Sequence, residues 1–206
     1  MINAQYREVD KREIAIDDRE LSARLGREVS HTDPEISVVC DTVIRTAEPR
    51  YAYTRVAINR TEDGRLDLGF ATVESHALAK NLVGCREAFL LVLTLGAELD
   101  RLVTRLGKTS RAEAYIYDAV ASAVTEAAMD AAERQMRGTL ACAVRFSPGY
   151  ADLALTCQGA FLDYLGAPTY LGVTLGESLL MTPLKTVTAI VGIKENEEEK
   201  SEKTDT

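Results

Sequence analysis

The segment Arg145-Phe146-Ser147-Pro148-Gly149-Tyr150-Ala151-Asp152 gathers more chemistry than any other stretch of the chain. An arginine at the end of an apolar strand can present its planar fork of donors to a carboxylate or phosphate. Pro148 stiffens the turn, Gly149 lets backbone come close to a ligand, and Tyr150 offers a flat face and a hydroxyl. Taken alone, the segment also reads as a plain turn with Arg145 in a surface ion pair. Glu126 and Asp130 lie one turn apart at the edge of an Ala-rich helix, where they can meet a cation or simply form a solvated flank. Glu177 and Ser178 suit a cap or turn as well as a ligand contact, and Met181 and Pro183 suit the core.

Other chemistries find little support. Cys40, Cys85, Cys142 and Cys157 are far apart with no CxxC pair, so buried reduced thiols are expected and no metal site. His31 and His76 have no Cys or His at ligand spacing and fit surface or cap positions. There is no GxGxxG, P-loop, HExxH or GxSxG, and hence no catalytic residue to nominate. The formal charge of −8 argues against a nucleic-acid partner. The beginning, MINAQYREVDKREI, is charged, and no apolar run approaches the roughly 20 residues of a membrane span. A cytoplasmic protein is expected, with no membrane association.

The elements that must position these residues follow from periodicity. With 206 residues, 46% of them hydrophobic and no tryptophan, one aliphatic core and one domain over 1–193 are expected. Residues 1–50 look helical in pieces, the clearest being 35–46, where Ile36, Val39, Cys40, Val43 and Ile44 share a face behind an Asp33 cap and Pro34. Residues 51–58 and 66–73 look like the arms of a hairpin around a turn at 61–64. Ser75 caps a short helix to about 83, and the run 88–94 suits a strand covered on both faces. A helix from Gly96 to Gly107 buries Leu99, Leu102, Val103 and Leu106. Ser110 then caps a long helix over 111–137, with Ile116, Ala119, Val120, Ala123, Val124, Ala127 and Ala131 on one face. Residues 140–145, 173–175 and 187–193 are strand candidates, and 156–165 is a short helix. Residues 194–206, with six acids and three bases, cannot bury surface and are expected to be disordered. Strands and helices do not alternate strictly, which predicts an α+β fold with a mainly antiparallel mixed sheet.

Arg-x-x-x-Gly-Tyr at 145–150 resembles the RxxxGYP motif of the activation domain of cobalamin-dependent methionine synthase. The stretch from Gly172 to Pro183 (GVTLGESLLMTP) is similar to that family's G-x-x-L-T-E-S-x-x-M-x-P, and Thr186-Val187-Thr188-Ala189 to its S-V-S-G strand. Thr125-Glu126-Ala127 matches its A-E-A on a long helix. These matches run in order across residues 85–193. There are two departures: Ala151 stands where the motif has proline, and the acidic stretch stands where the family domain continues and supplies a tyrosine.

The resemblance implies a free-standing S-adenosylmethionine-binding protein. Arg145 would take the ligand's carboxylate and Glu126, with Asp130 nearby, its ammonium; backbone at Ser147 and Gly149 would meet adenine, and Tyr150 would stack on it. It further implies a role in methionine biosynthesis, supporting reductive methylation of cob(II)alamin on a methionine synthase in trans, with flavodoxin or another reductase as electron donor. The protein would turn over nothing alone, because the reacting centre belongs to cobalamin on the partner. The alternative is a non-catalytic accessory subunit of another corrinoid-dependent methyltransferase, with or without the ligand.

Overall fold

A computed structural model describes residues 4–195. In chain order its regular elements are β1 (Gln5–Glu8), α1 (Asp18–Leu25), α2 (Pro34–Thr46), β2 (Arg50–Ala57), β3 (Asn59–Arg60), β4 (Leu66–Asp67), β5 (Thr72–Val73) and α3 (His76–Asn81). There follow β6 (Cys85–Thr94), α4 (Ala97–Gly107), α5 (Arg111–Arg137), α6 (Gln158–Tyr164), α7 (Ala167–Tyr170), β7 (Thr174–Leu175), β8 (Met181–Thr182) and β9 (Thr186–Lys194). Short 3₁₀ turns occupy Lys11–Glu13 and Leu155–Cys157.

A four-stranded antiparallel sheet, ordered β1-β2-β6-β9, forms the middle layer. The apolar run of β6 is explained by its central place: Phe89, Leu91 and Leu93 enter one core, Ala88, Leu90 and Val92 the other. The first core lies beneath α1, α2 and α5; the second lies against α3, α6, α7 and a small sheet, β3-β4-β5. Helix α5 is buried over most of its middle, with Ala121, Ala123, Ala128, Ala131 and Ala132 nearly inaccessible. Their small side chains let α1, α2, α4 and the sheet all approach one helix. Thr125 spends its hydroxyl on the Ala121 carbonyl at 2.7 Å, so its burial leaves no unmet group.

The α+β class, the strand β6 and the helices α3 and α5 agree with the sequence expectation, and Ser75 and Ser110 cap α3 and α5 through their hydroxyls. Other expectations need correction. The N-terminal part is not helical throughout, since β1 adds an edge strand to the sheet. Residues 66–73 do not pair with β2; β6 does, and the turn at 61–64 joins only the two-residue strands β3 and β4. Asp33 is the N-cap residue of α2 with Pro34 next, as expected, but it caps through its carbonyl alone, because its carboxylate accepts from the Ser30 N–H instead. The stripe of α4 buries only Leu99 fully. Segment 140–145 follows β9 through isolated bridges rather than forming a strand. Lys194 ends β9 and Glu195 pairs with Arg86, so order extends past 193; the remainder of the expected tail, 196–206, lies outside the described residues.

Candidate functional site

Arg145 reaches the site by a slip in register. The Lys194 N–H donates to the Ala141 carbonyl and the Ala143 N–H to Gly192, whereas Phe146 exchanges both bonds with Ile190. The pairing therefore gains one residue between Ala143 and Phe146, a bulge holding Val144 and Arg145. In an unbroken ladder Cys142, Val144 and Phe146 would share a face. Here Cys142 packs with the core under α5 while Phe146 enters the opposite core, and Arg145 turns to α5.

On α5 three acids at i, i+4 and i+7 receive it. One terminal nitrogen of Arg145 donates to Glu126 at 2.8 Å; the other serves both Asp130 and Glu133, the latter at 3.3 Å. Burial works against the guanidinium charge, but the hydrogen bond and charge of Asp130, with Glu126 and Glu133, outweigh it and raise the Arg145 pKa. The side chains are 26% exposed for Arg145, 35% for Glu126, 53% for Asp130 and 12% for Glu133. The fork is therefore engaged within the chain rather than standing free.

Beside this cluster is a recess of about 150 Å³ lined by Asp17, Glu20, Glu126, Asp130 and Arg145, with Ala15, Ala123 and Ala127 as its apolar part. The alanines leave the room; longer side chains would fill it. Four carboxylates line it against one guanidinium, with Arg24 beside two of them, and the remaining excess of acid suits a cationic group. Asp17 caps α1 by accepting from the Arg19 N–H at 2.8 Å, and Leu21, fully buried, fixes that helix on the core. Arg24 joins Glu20 at 2.6 Å and approaches Glu126 at 3.8 Å, tying α1 to α5. Sequence reasoning missed Asp17, Glu20 and Glu133. No motif or spacing in the sequence marks any of the three as part of a site.

The turn after Arg145 is fixed by internal bonds. The Tyr150 N–H donates to the Ser147 carbonyl at 3.1 Å, and the Gly149 N–H donates to Leu153 at 2.9 Å. The close neighbour of Gly149 is Leu155, and its φ of 84° is the reason for glycine. Tyr150 is exposed, its ring set edgewise to Phe146 at 5.3 Å. Asp152 locks the turn to α3 by accepting from the Ser75 hydroxyl at 2.5 Å and the His76 N–H at 2.7 Å. These bonds hold its carboxyl below the ordinary carboxylate range. Ala151 has φ 49°, a value proline cannot adopt, so this turn departs from a GYP turn in backbone as well as in residue type.

The structure thus brings Arg145, Glu126 and Asp130 together. Glu177 and Ser178 lie exposed in the turn between β7 and β8, outside the residues lining the recess. Among the described residues no cluster of His, Cys, Asp or Glu could hold a metal, the four cysteines are unpaired, and no helix is long and apolar enough to cross a membrane.

No family model matches the chain, and no curated protein matches it in sequence. Among solved structures it is similar to the MetH reactivation domain bound to AdoHcy, at a TM-score of 0.67 and 16% identity, over 93% of this chain and 78% of that one. At that identity the likeness establishes the fold: a mixed α+β domain with an antiparallel sheet, as in that reactivation domain.

Proposed function

We propose that the chain binds S-adenosylmethionine and serves as an accessory protein in trans, presenting the methyl donor to cob(II)alamin carried by a methionine synthase. The observation that carries this reading is the meeting of Arg145 with Glu126 and Asp130 beside an acidic recess, in a fold whose solved counterpart holds AdoHcy. The amino-acid end of the ligand carries one anion and one cation about a single carbon, and the site offers partners for both. Its volume, below the roughly 300 Å³ of a pocket enclosing a drug-sized ligand, suits that end alone. The adenosyl end would extend outside the recess toward the turn that follows Arg145, where Tyr150 offers an exposed ring while the Gly149 N–H and the Ser147 carbonyl are already bonded within the turn.

The partner's cobalamin supplies the methyl acceptor, with an electron from flavodoxin or another reductase. The residues of this chain bind, orient and hold the donor, which asks for no acid–base pair. The test is a methionine synthase lacking its own activation domain, stalled as cob(II)alamin. Addition of this chain, S-adenosylmethionine and a low-potential reductant should restore the methylated spectrum, and the Arg145→Ala variant should not. Equal recovery without this chain refutes the role; recovery only with a different corrinoid methyltransferase assigns it there.

A further inference from the structure

We infer that Asp130 occupies the place of the ligand's carboxylate and must leave when ligand binds; the inference rests on the S-adenosylmethionine reading above. Three N–H donors of Arg145 already serve carboxylates, one on Glu126 and two from a single nitrogen on Asp130 and Glu133, so three negative charges surround this one cation. A fourth carboxylate cannot join this guanidinium without strong like-charge repulsion. One acid has to go. Glu133 is 12% exposed and is also held by Arg137 at 3.6 Å, so swinging it out would break two ion pairs of a nearly buried side chain. Glu126 is held within 3.8 Å of Arg24 and remains the acceptor for the ammonium.

Asp130 differs from both. It is more than half exposed, it lines the recess, and the nitrogen it uses is already shared with Glu133. Turning it into water costs least, because water resolvates its carboxylate while Glu133 continues to neutralise Arg145. Asp130 is therefore a competitor built into the helix: it keeps the arginine paired when the site is empty, and it lowers affinity for any ligand carrying an α-carboxylate. Adenosine, which has none, is indifferent to it.

The experiment is calorimetric titration of the full chain, the Asp130→Ala variant and the Asp130→Asn variant with S-adenosylmethionine, S-adenosylhomocysteine and adenosine. An exposed ion pair is worth up to about 1 kcal/mol, so Asp130→Ala should bind both amino-acid-bearing ligands about two- to fivefold tighter. Asp130→Asn, which keeps the side-chain shape, should shift the same way by less, and adenosine affinity should not move. Unaltered protein that binds S-adenosylmethionine while both variants bind it equally or more weakly overturns the role of Asp130 and leaves the functional reading standing. Unaltered protein that binds neither ligand overturns both.

Discussion

Removing the guanidinium of Arg145 should destabilise the fold, whatever ligand the site takes. In Arg145→Ala, Glu126, Asp130 and Glu133 face one another with no cation between them. Breaking a fully buried ion pair costs about 3–5 kcal/mol, whereas an exposed pair is worth about 1 kcal/mol or less. Only Glu133, at 12% exposure, belongs near the first class, and it keeps Arg137 at 3.6 Å; Asp130 is largely screened and Glu126 keeps Arg24 within reach. A loss of about 1–2 kcal/mol at pH 7 follows. Urea denaturation followed by circular dichroism at pH 7 measures this. A variant as stable as the parent would refute the assigned network.

Replacing Ala151 by proline, the residue of the GYP motif, should destabilise by more than about 1 kcal/mol, because φ 49° is closed to a pyrrolidine ring; an unchanged melting temperature would contradict a left-handed backbone at Ala151. Glu126→Gln should weaken S-adenosylmethionine binding while sparing adenosine, measured by equilibrium dialysis. Ending the chain after Glu195 should leave the thermal midpoint in place. Ending it after Ile193 should cost about 0.5–1.5 kcal/mol, since the Lys194 bond to Ala141 and the Arg86–Glu195 pair are lost.

Local pattern sufficed where a segment's own residues decide its state. The run of β6 and the Ala-rich face of α5 announce a strand covered on both sides and a helix crossed closely by its neighbours, and both form. Pattern failed where a distant partner decides. Strand β1, Gln-Tyr-Arg-Glu, has no apolar alternation and exists because β2 offers an edge. The apparent hairpin of 51–58 with 66–73 loses to the longer pairing of β2 with β6.

The candidate site divides the same way. Arg145, Glu126 and Asp130 are visible as residue types at telling positions, but the bulge that aims Arg145 at α5 depends on register with β9, some 45 residues later. Asp17 and Glu20 join the recess only because α1 docks on α5. Glu133 looks like any helical acid until Arg145 is found against it.

The central claim is that this chain holds S-adenosylmethionine at Arg145. Calorimetric titration of the purified chain with that ligand tests it most directly. One site per chain is expected, with Arg145→Ala weakening it by about 1.5–3 kcal/mol, the worth of hydrogen bonds to a charged group, and Arg145→Lys also losing affinity because an ammonium cannot form the fork. No heat at millimolar ligand, or equal affinity in Arg145→Ala, would contradict it.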